Sequence, residues 1–154
     1  MKTRAGLLGF AVFGFALLVG GCSVEAAGRS PEQTVEGYLS AMQGHRFAEA
    51  FDYVSDTMRA GKPRELWAKE QQYIVQISEL KIFEFKVFPS VMVGERAKVP
   101  NILRSQDKFL NQLGLDEHEI YELVKEDGEW RIDQQTIAQG DEKEEFFRSG
   151  AGQN

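Results

Sequence analysis

Few side chains of this 154-residue sequence are placed to do chemistry. There is one cysteine, Cys22, and there are two histidines, His45 and His118. A general base or a metal site needs groups that converge. His45 falls in a connection between helices and His118 within Asp116-Glu117-His118-Glu119. Neither has a partner at a recognisable spacing. Asp116, Glu117 and Glu119 offer carboxylates to a divalent cation, but the ordered ligand spacing of a calcium loop is absent. Glu122 and Asp133 would face each other across a late hairpin, with Arg131 adjacent. That arrangement could perturb a carboxylate pair; a solvated outer face is the plainer reading. No Ser-His-Asp logic, phosphate loop or dinucleotide fingerprint is present. These residues call for no metal and no cofactor.

Cys22 closes the stretch Leu17-Leu18-Val19-Gly20-Gly21-Cys22. The chain opens on Met1-Lys2-Thr3-Arg4, a short basic segment, and Ala5 to Gly21 then runs 17 positions without a charge. That is short for a membrane span of ~20 residues and ample for a signal-peptide core. Val19-Gly20-Gly21-Cys22 resembles the lipobox of bacterial lipoproteins, an aliphatic residue and two small ones before the cysteine. The resemblance implies that Cys22 carries a diacylglyceryl thioether, that the preceding peptide is removed, and that the new amino terminus is acylated, for example by palmitate. Two or more acyl chains hold a protein stably on a bilayer, whereas one does so only marginally. A plain secretory signal or an uncleaved N-terminal helix, with Cys22 incidental, is the alternative. Ser23 follows the cysteine; in enterobacterial sorting an aspartate there retains the protein at the inner membrane, so serine favours the outer membrane.

Removal of residues 1–21 leaves 133, the size of one domain. Without Lys2 and Arg4 there are 16 Lys+Arg against 24 Asp+Glu, a formal charge of −8. That balance argues against nucleic acid or anionic lipid as a partner. With Cys22 lipidated, disulfides and thiolate metal sites are excluded. Stability must come from an apolar core, for which 11 Phe and 2 Trp are available.

The remaining elements follow from periodicity. Residues 22–29 read as a lipidated tether, and 30–137 as the folded domain. Ser30-Pro31-Glu32-Gln33 is a helix start with a capping box; Val35, Tyr38, Leu39 and Met42 form one helical face, ended by Gly44. A second helix is predicted from about Arg46, with Phe47, Ala50, Phe51 and Val54 on its stripe. Pro63 opens a third, carrying Leu66, Trp67 and Ile74. The period then changes to that of strands. Leu80–Phe88 alternates, Val91-Met92-Val93 resumes after Pro89-Ser90, and Ala97, Val99 and Leu103 share a face of the next strand. Pro100 in that strand argues for an edge position or a bulge. Phe109, Leu110 and Leu113 suggest one or two helical turns closed by Gly114. Asp127-Gly128 is a strong hairpin turn; in its register Leu123 faces Ile132 and Lys125 faces Trp130, and Tyr121, Leu123, Trp130 and Ile132 share one face. Residues 138–154 read as an acidic, Gly-rich, disordered tail, with Phe146-Phe147 able to dock.

Two or three helices followed by a curved antiparallel sheet of about four strands is an α+β layout. The stretches Val35-Glu36-Gly37-Tyr38-Leu39-Ser40-Ala41-Met42-Gln43-Gly44-His45-Arg46-Phe47-Ala48-Glu49-Ala50-Phe51, Gly94-Glu95-Arg96-Ala97-Lys98-Val99 and Leu123-Val124-Lys125-Glu126-Asp127-Gly128-Glu129-Trp130-Arg131-Ile132 resemble the nuclear transport factor two-like domains. These are the cone-shaped superfamily of ketosteroid isomerases and many small bacterial lipoproteins. The resemblance covers roughly residues 30–136 and rests on layout rather than on catalytic motifs. It implies a tyrosine on the first helix and an acidic base just after the second. Tyr38 stands where that tyrosine would be, able to donate as an oxyanion donor, or simply to fill the core as part of the apolar stripe, the favoured reading. The base is missing: Thr57-Met58-Arg59-Ala60-Gly61-Lys62 contains no carboxylate, and Asp52 and Asp56 nearby fit a helix surface or cap. The expectation is a lipid-anchored envelope protein that binds a small apolar ligand or another envelope protein, without an acid-base active site. An isomerase or dehydratase using the cone is the alternative, and it requires a buried acid or histidine facing Tyr38.

Overall fold

The computed structural model describes residues 28–148. Residues 1–21, read above as a signal segment, Cys22 with residues 23–27, and residues 149–154 at the end of the tail lie outside them.

Helix α1, Pro31–Gln43, begins as its sequence dictates: Gln33 N donates to Ser30 Oγ (3.2 Å) and Ser30 N donates to Gln33 Oε1 (2.9 Å). Its buried side is Thr34, Val35, Tyr38, Leu39 and Ala41. The second helix is not continuous. α2, Phe47–Ala50, gives way to a 3-10 turn at Phe51–Tyr53, and α3, Asp56–Arg59, starts afresh under a Ser55 cap. The break has a tertiary cause. Val54 is drawn into an extended conformation beside Ile132, and Ser55 N donates to the Ile132 carbonyl at 2.8 Å. Pairing with a strand overrides the helical period of Phe47, Ala50 and Phe51.

α4, Arg64–Ser78, buries Trp67 and Val75. Leu66 and Ile74, expected to pack, are about half exposed. Leu66 sits one residue, ~100° of helix rotation, from buried Trp67, and Ile74 the same from buried Val75. Trp67 meets Phe51 edge-on at 5.8 Å.

The strands β1 (Lys81–Val87), β2 (Val91–Val93), β3 (Arg96–Gln106), β4 (Asp116–Glu126) and β5 (Glu129–Ile137) form one antiparallel sheet in the order β1-β3-β4-β5, with β2 also on β3. Register shifts between Ile82 and Glu84 and between Glu122 and Leu123 are bulges, which bend strands and increase twist. Pro100 lies in the central strand β3, not at an edge. It falls in the gap where β1 ends at Val87↔Asn101 and β2 begins at Val91↔Lys98. The Pro100 carbonyl accepts from Phe88 N on that side, so the ring's missing donor points where no ladder bond is needed. The last hairpin matches its expected register, Leu123↔Ile132 and Lys125↔Trp130, around Asp127 (φ 52°) and Gly128 (φ 81°).

The core lies between the helices and the concave face: Val35, Tyr38 and Leu39 of α1, Trp67 of α4, Ala97, Val99 and Leu103 of β3, Tyr121 and Leu123 of β4 and Ile132 of β5. Each large aliphatic side chain fully buried there contributes about 1.5–3 kcal/mol. Trp130 packs on this cluster but is only half-buried. The tail is not wholly without structure. Residues Asp141–Arg148 form α5, whose Phe147 meets His118 (4.7 Å) and Phe88 (5.5 Å) on the convex face, while Lys98 reaches over Phe146. Pro100 and Ile120, which alternate onto that face, are buried.

Candidate functional site

The polar chemistry of the domain converges on Glu119. Strand alternation on β4 sends Glu119, Tyr121 and Leu123 to the concave face and Asp116, His118 and Ile120 to the convex one. Glu119 is only 2% exposed. Its neighbours on adjacent strands are Asn101, opposite it on β3, and Gln135 of β5, whose amide donates to Glu119 Oε1 at 2.7 Å. Tyr38 of α1 faces Tyr121 edge-on, with ring centroids 6.0 Å apart. Burial pushes the Glu119 carboxyl up to about 7, the charge of Glu117 adding to the effect, and Gln135, Asn101 and Tyr121 oppose it. Burial, followed by the charge of Glu119, pushes Tyr38 up to about 12. Tyr121 is raised for the same two reasons. Both side-chain atoms of Asn101 and Glu119 Oε2 have no well-formed hydrogen bond among the described residues. Each such buried group costs about 1–3 kcal/mol.

A buried carboxylate thus lies near Tyr38, on the sheet rather than after the second helix. Near neutral pH, Glu119 exchanges between a carboxylic acid that donates and a carboxylate that accepts, beside a phenol that stays protonated. That pairing could polarise a carbonyl or take up a proton. Its place in the core sets the limit: Tyr38 and Tyr121 are also buried, and the surface hollows lined by Lys81, by Trp130, by Phe85 and by Phe47 do not include Glu119.

The other candidates are dispersed. Asp52 binds the Arg64 guanidinium (2.8 Å to Nη1), and this hydrogen bond lowers its carboxyl. Asp56 pairs with Arg59 and Glu84 with Arg104, so neither faces Tyr38. Asp116 also binds Arg104, while Glu117 accepts from Ser105 Oγ at 3.1 Å. The three acids of residues 116–119 thus point to three different neighbours rather than to one ion. Among the described residues no group of three metal-ligating side chains converges. His45 is exposed and stacks on Phe47. His118 lies under α5, its pKa lowered by burial and then by Lys143, with Asp116 opposing. Glu122 pairs with Gln134, not Asp133, because the bulge shifts the register. Arg96 reaches both acids, at 3.8 Å and 3.0 Å. Burial raises the Asp133 carboxyl, but bonds from Ser55 and Arg96 bring it below its usual range. Cys22 lies outside the described residues.

A second feature is apolar. The segment between β3 and β4 forms no helix. Asp107 accepts from the amides of Phe109, Leu110 and Asn111 (2.6, 2.7 and 3.1 Å). Buried Asn111 binds the Ser105 carbonyl and both backbone groups of Leu115. This polar framework uses the segment's hydrogen-bonding groups and leaves its large apolar side chains outside. Leu110 is 92% and Leu113 82% exposed, with Phe109 and Leu115 also exposed. The loop abuts α4, since Lys108 N donates to the Ser78 carbonyl at 2.9 Å. Gly114 lies beside the exposed ring of Phe83. Tyr73, Ile74 and Ile77 of α4 are exposed as well. Contiguous exposed apolar patches of this kind mark contact sites.

No family model matches the sequence, and no curated protein matches it. Among solved structures the chain is similar to a SEC-C motif-containing protein from Rhodopseudomonas palustris. They share 19% identity over 71% of this chain and 80% of that one, with a TM-score of 0.55. It is also similar, at lower TM-scores, to a DUF4783 family protein from Bacteroides uniformis (16% identity, 68% and 95% covered, 0.44) and to an NTF2-like protein of unknown function from Cytophaga hutchinsonii (13%, 69% and 88%, 0.41). Likeness at such identity concerns the fold: the chain is an α+β domain of helices packed on an open antiparallel sheet of five strands, the layout that the resemblance implies.

Proposed function

We propose that this chain is a lipid-anchored envelope protein, held on its membrane through Cys22, that works as a protein-interaction module. The observation that carries the interaction is the exposed apolar end built from Phe109, Leu110, Leu113 and Leu115 beside Phe83. Its location favours a protein partner over the anchoring bilayer. The tether enters at the opposite end: Gly28 and Arg29 lie against Glu129, beside the Asp127-Gly128 turn. Strands β3 and β4 are 11 residues each, so the two ends are about 35 Å apart at ~3.3 Å per residue. The anchor itself rests on the basic start, the uncharged run and the lipobox; Ser23 favours the outer membrane. Cys22→Ser should release the domain to the soluble fraction or leave the precursor uncut, and normal cleavage with membrane retention would contradict the anchor. For the interface, a photo-crosslinking residue at position 110 should give one discrete adduct in intact cells, while the same residue at position 65, on the exposed start of α4, should not. Equal yields from both positions would contradict the reading.

Glu119 beside Tyr38 favours a second reading, an isomerase- or dehydratase-type enzyme, because it supplies the acid that such chemistry needs. Turnover of carbonyl or hydroxy-carbonyl substrates that is lost in both Tyr38→Phe and Glu119→Gln would establish it. The interaction reading expects no turnover above background.

A further inference from the structure

The end at which the tether enters carries its own apolar surface. β2 is a three-residue strand paired, among the described residues, with β3 alone, and Val91, Met92 and Val93 are each about half exposed. Met92 also lines a hollow of about 590 Å³ with Val124, Trp130, Lys125 and Arg96. The Lys125 ammonium sits 5.2 Å from the centre of the Trp130 ring. An indole at a rim, backed by aliphatic side chains and flanked by long cations, suits the boundary between lipid headgroups and acyl chains.

What places a bilayer there is the route of the chain. Gly28 lies against the Glu129 carboxylate, and Arg29 pairs with the same group at 3.7 Å. Glu129 is the immediate neighbour of Trp130 in β5. Five residues separate Cys22 from Gly28, six Cα–Cα steps with a reach of about 20 Å. A membrane that holds the acyl chains of Cys22 is thereby kept within about 20 Å of Gly28, which touches the residue next to Trp130. We propose that the β2–β3 hairpin and the Trp130 hollow seat on the zwitterionic phospholipid bilayer into which Cys22 is anchored. The seating holds the domain upright with the Phe109–Leu115 end pointing away. Acidic and basic groups alternate around the patch, Glu95 beside Arg96 and Glu126 near Lys125, so contact depends on apolar burial rather than on anionic lipid. The inference rests on lipidation at Cys22.

The test uses the full lipoprotein reconstituted into phosphatidylcholine–phosphatidylethanolamine vesicles, with and without a lipid brominated near the headgroup end of its acyl chains. Flotation with the vesicles reports the anchor, and quenching of tryptophan emission reports the seating. Trp67 is buried in the core against Phe51, so Trp130→Phe, which leaves only Trp67, is the reference. Wild type should be quenched several-fold more than Trp130→Phe. Met92→Glu, a change at an exposed position, should still float and should fall to the reference level. Wild type that floats but is quenched no more than Trp130→Phe overturns the seating and leaves the anchor standing. Wild type that does not float overturns both. Quenching unchanged in Met92→Glu also overturns the seating, because the hydrophobic contact would then lie elsewhere.

Discussion

Glu119 is the residue at which chemistry and stability meet. Its carboxyl is raised from the usual 4.5 to about 7 by burial. A raised acid favours the folded state while protonated, so its contribution is fully present below pH ~4.5 and is lost as pH rises through about 7. A tenfold change in a proton-binding equilibrium is worth about 1.4 kcal/mol, so the loss is of the order of 3 kcal/mol. Glu119→Gln keeps the shape and removes the proton. Its melting temperature should exceed that of wild type at pH 8 and the two should converge near pH 4.5, measured by calorimetry across that range. A difference independent of pH would show that Glu119 is not titrating in the core. The inward direction of Glu119 was legible: it lies two positions before Tyr121 and four before Leu123, residues that the hairpin already places on the core face. Grouping it with Asp116 by proximity in sequence hid this, because adjacent positions along a strand point to opposite faces; Glu117 shares its face but binds Ser105.

At the level of elements, local signals held where local physics decides. The Ser30 capping box and the Asp127-Gly128 turn each satisfy their own backbone groups, and both form as read. The signals failed where a distant strand competes. Val54 belongs to the helical stripe in sequence, yet Ile132 takes its backbone. Phe109, Leu110 and Leu113 have helical spacing, yet the Asp107 carboxylate and the Asn111 amide offer their segment a different set of hydrogen bonds. Gly37 shows how tightly α1 approaches the turn after α2: a Cβ there would run into the Tyr53 ring, over which the Arg29 guanidinium also lies, 4.5 Å from its centre. Gly to Ala within a helix normally gains about 1 kcal/mol. Here Gly37→Ala should instead destabilise by roughly 1–3 kcal/mol through overpacking, seen as a lower denaturant midpoint, and Tyr53→Ala should remove most of that penalty. A more stable Gly37→Ala protein would mean that Tyr53 moves freely aside.

At the scale of the whole molecule, the domain has two ends of different character. One receives the tether, beside Trp130; the other exposes Leu110 and Leu113 about 35 Å away along β3 and β4. Tyr38, Leu103, Tyr121 and Trp67 belong to the buried core, and the functional reading rests on the exposed apolar groups at the two ends. The most direct measurement is the mass of the complex that the protein forms when the membrane in which the proposal places it is extracted with mild detergent. Wild type should run as a defined species heavier than the lipoprotein alone. Leu110→Glu combined with Leu113→Glu should run at the free lipoprotein mass and should remain folded, because both side chains are exposed. The same heavy complex in the folded double variant, or no complex with wild type, would contradict the interaction reading.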